Sequence, residues 1–203
     1  MKRGLTLAGV ALAILGFYGP WITSARGLAA LTYNALDLAE FSKFIGRAGI
    51  ASITREWFLV PIAAAALALA LWANSLDQRS RVLRHVLTLA AVLFSFVPLP
   101  PYPFLLRAYA STEDRASFWL SVAAVAGVVL IFVLGSHIAG RWRGAAFVAL
   151  AVTGAVPAAW EFFTRALPAI SKVYGSPAVM GWGLVVTLLG FVLMIVGAVM
   201  RET

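Results

Sequence analysis

The chain contains no cysteine. Disulfide scaffolds, haem-thiolate and iron–sulfur centres and thiol catalysis are therefore excluded outright. Charge is almost as scarce: Asp, Glu, Lys and Arg make up 12% of the 203 residues, only eight residues are acidic, and there are two histidines. Soluble domains carry about 25% charged residues. A site built from several carboxylates or imidazoles has little here to draw on. Also missing are a Walker-type phosphate loop, a His-Glu-x-x-His zinc motif and a Gly-x-Ser-x-Gly nucleophile elbow. Gly181-x-Gly183 lacks the strand and the third glycine of a dinucleotide-binding turn.

What the chain does have is apolar material, 62% of its residues, with a mean hydropathy of +0.93. A globule of this size leaves much of its surface facing solvent, so that excess cannot all be hidden inside. The solvent over most of the surface must be lipid. The sequence thus predicts an all-α integral membrane protein, a single polytopic domain over residues 1–203. Spanning the hydrocarbon takes about 20 mostly apolar residues as a helix. Six segments qualify: 4–22, 57–74, 85–104, 118–138, 144–163 and 178–200. They read as three up–down hairpins. Pro98, Pro100, Pro101 and Pro103 break the third near its end, and Pro157 interrupts the fifth. The proline run terminates that helix, or else lines an outward cavity with Tyr18, Trp21 and Tyr102.

The net charge of +8 would suggest nucleic acid as a partner for a soluble protein. Here the basic residues sit in short clusters beside apolar runs, so no nucleic acid is expected. Lys and Arg divide eight and eight between the two sides of the six-helix scheme. Density decides the orientation. Arg79, Arg81, Arg84, Arg141 and Arg143 crowd into very short segments, as cytoplasmic loops do, whereas the other side's charges are spread through long ones. Both termini are expected in the cytoplasm and the protein in the plasma (cell) membrane. The first segment also has features of a secretory signal, with a basic start and small residues Thr23 and Ala25 after Pro20, but its apolar run is longer than a signal core.

Weak repetition runs through the chain. Leu5-Thr6-Leu7-Ala8-Gly9-Val10 returns as Leu87-Thr88-Leu89-Ala90-Ala91-Val92, and Trp57, Trp119 and Trp182 open alternate helices. Any hairpin in a bilayer puts arginine inside and tryptophan at the interface, which accounts for the pattern without a triplicated ancestor. Small residues such as Gly9, Ala13 and Gly183 offer close helix packing.

The long loop 23–56 holds one more expected element. Asn34 caps a helix start, Asp37 falls at its third position, and Gly46 closes it after Lys43. Leu31, Leu38, Phe41, Ile45 and Ala48 share one face, and Thr32, Asp37, Glu40, Lys43 and Arg47 the other. The spacing predicts a short extracytoplasmic amphipathic helix. Leu31, Leu38, Phe41 and Ile45 are its candidate partner-binding face.

Other candidate sites are few. His85 and His137 fall at the same depth on neighbouring helices, where two imidazoles would suit a tetrapyrrole or a metal ion. The alternative is a pair of wet, interfacial side chains beside Arg84 and Arg141, with no cofactor or metal; that is the expectation. Glu161 lies four residues before Arg165, on one helix face. An ionisable residue near membrane depth is a functional candidate, a proton or cation site. Next to Trp160 it reads as an interfacial ion pair.

No catalytic motif emerges, so an enzyme is not expected. Sparse intramembrane charge favours a non-catalytic multi-pass membrane subunit or accessory protein of a larger complex, with the bilayer and other membrane subunits as partners. The alternative is a small-solute transporter or substrate-binding membrane component, for which six helices leave room for a midplane site. An intramembrane enzyme or tetrapyrrole carrier is the third class.

Overall fold

The computed structural model of the chain describes residues 2–24, 32–76, 80–100 and 107–200. The helices are α1 (Lys2–Tyr18), α2 (Ala35–Arg47), α3 (Glu56–Ala73), α4 (Arg81–Ser95), α5 (Arg115–Leu134), α6 (Gly140–Glu161), α7 (Leu167–Tyr174) and α8 (Trp182–Val199). Two short strands, β1 (Ile22–Ser24) and β2 (Ala178–Met180), pair antiparallel with Thr23 opposite Val179. Four helical stretches are long and apolar enough to cross a membrane: α3, α5, α8 and the run Gly140–Tyr174 that joins α6 to α7. Helix α1, at 17 residues, and α4, at 15, are shorter.

Helix α3 is the axis. Its Ala63–Ala66 run and the alternating Ala and Leu after it present so little bulk that α1, α4, α5 and α6 all approach it. Over its apolar window 78% of the residues are buried, against 22% for α5. Around α3 the core divides in two. One cluster, with Phe17, Trp21, Phe58 and Phe162, lies towards the end of the bundle that α2 covers. The other, with Ala65, Leu71, Phe147, Phe191 and Met194, fills the opposite half.

The widest helix contact joins α1 to α8. Gly9, Ala13 and Gly16 face Gly183, Thr187, Gly190 and Met194 nearly backbone to backbone; a Cβ built on Gly9 would stand 2.6 Å from the Gly190 carbonyl oxygen. Only glycine admits that approach, and dispersion between the two backbones is its return. The consecutive pairs α1–α3, α4–α5 and α6–α8 also touch, but the hairpin scheme misses the α1–α8 closure.

Several boundaries move from the sequence reading, each for a local reason. Helix α1 stops at Tyr18, before Pro20, and the chain passes into β1. Helix α4 begins four residues earlier than expected and ends at Ser95. Beyond it, Phe96, Val97 and Leu99 donate three residues back, to Leu93, Phe94 and Phe96, as the residue before a proline leaves the α region. Residues 178–180 are strand rather than the start of α8.

Pro157 does not interrupt α6, which runs through it to Glu161. The irregularity comes later, as a π turn over Phe162–Ala166 in which the Leu167 N–H reaches the Phe162 carbonyl. Pro168, with no N–H to give, follows at once, so the helix widens where the next donor is missing.

Helix α2 begins as its sequence dictates. The Asn34 side chain accepts the Asp37 N–H at 2.9 Å, and the Asp37 carboxylate accepts the Asn34 N–H at 3.1 Å, a reciprocal capping box. Its end differs. Gly46 stays helical, and Gly49, at φ +67°, makes the left-handed turn that lets the Ile50 N–H reach the Ile45 carbonyl.

Candidate functional site

The polar side chains gather at the end of the bundle under α2. Glu113 and Asp114 immediately precede α5 there, and residues 48–55 cross from α2 to α3. Arg55 is 5% exposed and forks between two carboxylates: one nitrogen donates to Asp114 at 2.8 Å and another pairs with Glu40. Lys43 bridges the same two acids, at 2.9 Å from Glu40 and 3.0 Å from Asp114. On the outside Arg47 grips both oxygens of Glu113. Three cations thus meet three anions, and α2 is tied to α3 and α5 by neutral, multiply bonded charge. Partial burial alone would raise the Asp114 carboxyl, but Lys43 and Arg55 outweigh it and hold the group below its ordinary range. The Arg47 guanidinium does the same for Glu113.

Glu161 lies on the far side of the same loop. It is 2% exposed, and its carboxylate accepts the Thr54 N–H at 2.5 Å. Arg165 stands 3.5 Å from it, half-exposed, and donates to the Ser52 carbonyl at 3.2 Å. The two residues are brought together as their spacing implies. The new element is the depth of Glu161 and its grip on the 48–55 loop. A buried carboxylate is costly unless satisfied, and here a backbone donor and a guanidinium serve it. The π turn begins immediately after it.

The apolar face of α2 turns inward. Leu38 and Ile45 are buried in the chain's own core, and Phe41 packs against Tyr33 at 5.1 Å and stacks on Tyr174 of α7 at 6.2 Å between ring centroids. Leu31 lies outside the described residues. Tyr33 and Tyr174 share a hydroxyl hydrogen bond, and burial together with that bond raises the Tyr33 phenol. Phe44, on the other side of the helix, remains exposed. Trp21, a suggested cavity wall, is instead fully buried; its indole N–H donates to the Gly16 carbonyl at 3.0 Å, and its ring meets Phe58 and Phe162 edge-on. Tyr18 is exposed, and Tyr102 lies outside the described residues.

The histidines are at the other end. His85 is exposed; its Nδ1–H donates to the Arg81 carbonyl at 2.6 Å and its ring stands edge-on to Phe132. His137, also exposed, follows α5 in a single 3₁₀ turn. Around them the arginines of the short segments have structural tasks. Arg143 donates to the carbonyls of Gly135 and Ile138, Arg84 to that of Phe132, and the Asn74 amide to that of Ile131. These carbonyls lie at and just beyond the C-terminus of α5, where the helix dipole favours cations; those of Ile131 and Gly135 also accept the Gly135 and Ile138 backbone N–H groups. A Cβ at Gly135 would overlap the Asn74 amide.

The ion-pair network of Glu40, Lys43, Arg47, Arg55, Glu113 and Asp114 escaped the sequence reading. A usable signal existed, since Glu113, Asp114, Glu40 and Arg55 all fall on the side assigned most of the acids. Among the described residues no group of three or more His, Asp or Glu side chains is placed to hold a metal ion. Comparison with known proteins returned no match to a family model, a curated protein or a solved structure.

Proposed function

We propose that the chain is a non-catalytic, six-span subunit of a larger complex in the cell membrane, with α1 and α4 completing the crossings and both termini cytoplasmic. The observation that carries this reading is the α4–α5 side of the bundle. Val82, Val86, Leu89 and Leu93 of α4 and Val129, Leu130 and Val133 of α5 are all exposed, with α3 behind them. Helix α4 is about 22 Å long at 1.5 Å per residue, short of a hydrocarbon core of about 30 Å. A short, weakly embedded helix beside a broad apolar wall suits a surface completed by another membrane protein. Exposed Trp57, Trp119, Trp160 and Trp182 ring the α2 end like an interfacial belt, and the α2 end is assigned to the outside because the other carries the arginine-dense segments.

The transporter alternative draws on one feature. Among the described residues the buried hydroxyls of Ser117 and Ser121 on α5 have no hydrogen-bond partner, and Ser121 borders a cavity of about 330 Å³ between α4 and α5. That cavity is otherwise lined by Phe96, Leu99, Phe118, Val122, Val125 and Ala126, which offers a polar solute one hydroxyl.

Single cysteines test the proposal cleanly in a chain that has none. Gly46 and Gly140 are exposed positions with open space around a Cβ, so Gly46→Cys and Gly140→Cys are tolerated substitutions. In intact cells an impermeant thiol reagent should label Gly46→Cys and spare Gly140→Cys; the reverse inverts the topology. A thiol-linked photo-crosslinker on Leu130→Cys should capture one discrete membrane protein. Capture of lipid alone, across independent preparations, sinks the subunit reading.

A further inference from the structure

Beside Glu161 lies an open groove of about 420 Å³ between the 50–52 segment and the run from the π turn into α7. Its walls are of two kinds. Ile50, Pro168 and Ala169 are apolar, whereas Arg165, Lys172 and Ser52 are polar. Lys172 is exposed and, among the described residues, has no ion-pair partner. Arg165 is partly engaged, at 3.5 Å from Glu161 and 3.2 Å from the Ser52 carbonyl, leaving the rest of its guanidinium to the groove. Thr164 also borders the space, but its hydroxyl donates to the Trp160 carbonyl at 2.7 Å and offers only lone pairs. Two cations therefore face the opening against one carboxylate buried behind it.

We infer that this groove binds a phosphate-bearing anion, with Lys172 and Arg165 as its charge partners and Glu161 as an internal competitor for Arg165. Lysine serves a phosphate as a mobile point charge and arginine as a planar fork, so the pair reads a tetrahedral dianion or diester from two sides. The apolar walls extend that recognition to an amphiphile. Exposed Trp160 and Phe163 lie on the same stretch of helix, at the level where ring systems meet lipid headgroups. A lipid entering from the bilayer would set its phosphate on Arg165 and Lys172 and the upper part of its acyl chains against Ile50 and Pro168. The inference goes beyond the subunit reading and holds whether or not a protein partner exists.

The test is native mass spectrometry of the intact chain in detergent, titrated with phosphatidylglycerol, phosphatidylcholine and glycerol 1-phosphate. Each cation near an anionic headgroup contributes roughly fivefold in affinity. Phosphatidylglycerol should bind more tightly than phosphatidylcholine, whose choline cation is repelled by the same two side chains, and Arg165→Gln and Lys172→Gln should each lower phosphatidylglycerol affinity by about that factor and phosphatidylcholine affinity by less. Glu161→Gln, which retains an acceptor for the Thr54 N–H, should raise it; a merely structural Glu161 would leave the affinity level or lower it. Arg47→Gln, a charge change elsewhere on the same end, should have no effect. Competition by glycerol 1-phosphate assigns the site to a soluble phosphate, and failure to compete assigns it to a lipid headgroup; either keeps the anion site. Equal binding of the two lipids, or an Arg47→Gln loss as large as that of Lys172→Gln, overturns it.

Discussion

Helices α3 and α5 are both apolar enough to cross a membrane, yet one is the axis of the bundle and the other stands at its rim. The more hydrophobic of the two is the rim helix: mean hydropathy over the spanning window is 1.8 for α3 and 2.5 for α5. In water that order would be reversed. Where the surrounding solvent is as oily as a leucine, apolarity does not drive a helix inward, and small size does. Helix α3 is built from alanines that let four neighbours close on it, whereas α5 carries Val, Leu, Ile and Phe outward. The attachment differs accordingly. Helix α3 is held on several sides along its length, while α5 packs along a single stripe, Ser117, Ser121, Ala124 and Val128, and is tied at its ends: Asp114 on Lys43 and Arg55 at one, the carbonyls of Ile131, Phe132 and Gly135 at the other. Between them Gly127 lies against Leu67 of α3.

The largest test of this contrast adds bulk to both helices. Ala65→Phe, at a fully buried position, should destabilise by at least 1–3 kcal/mol, the usual cost of overpacking a core. Val129→Phe, at an exposed position on α5, should stay within about 0.5 kcal/mol. Both are read from unfolding midpoints in a detergent–SDS titration. Equal losses would mean that α5 is packed as tightly as α3. A smaller effect is expected at the foot of α5. Gly135→Ala should displace the Asn74 amide from the Ile131 carbonyl at a cost of about 1–2 kcal/mol, and in an Asn74→Ala background the same Gly135→Ala change should cost much less. Additive losses from the two changes would show that the amide is not the obstacle.

Much of this arrangement was legible where the cause was local. Asn34 and Asp37 announce the start of α2 because both halves of a capping box lie within one turn. Pro98 announces the end of α4 for the same reason. The choice between Gly46 and Gly49 was not legible, since either supplies a terminator and the decision lies in which residue takes positive φ. Gly9, Gly16, Gly183 and Gly190 advertise close packing but not with whom. The three-residue β1–β2 pair carries no periodic signal at all. Glu161 misled most. Trp160 beside it is 66% exposed and speaks for an interface, but one residue along a helix turns by about 100°, and that rotation takes the carboxylate into the core.

The smallest expected effect concerns the other anchor of α5. Asp114 and Glu113 titrate below their ordinary values when folded, so the native state binds fewer protons than the unfolded chain. Their contribution is complete above the unfolded carboxyl range of about pH 4 and fades as the pH falls through the lower, folded values. Wild type should therefore lose more stability between pH 7 and pH 3 than Asp114→Asn does, in the same SDS titration. Identical acid losses would mean that α5 does not depend on that end.

The α1–α8 seam has a consequence in time. Its two halves are separated by about 160 residues of chain, so a ribosome adding about 5–20 residues per second delivers α8 some 10–30 seconds after α1. Throughout that interval the glycine face of α1 has no partner from its own chain. The seam and the β1–β2 pair above it close only once β2 and α8 have been made. Assembly of this bundle is a ring shut by α8, and a chain arrested before Trp182 leaves a glycine-lined helix open to whatever else the membrane offers.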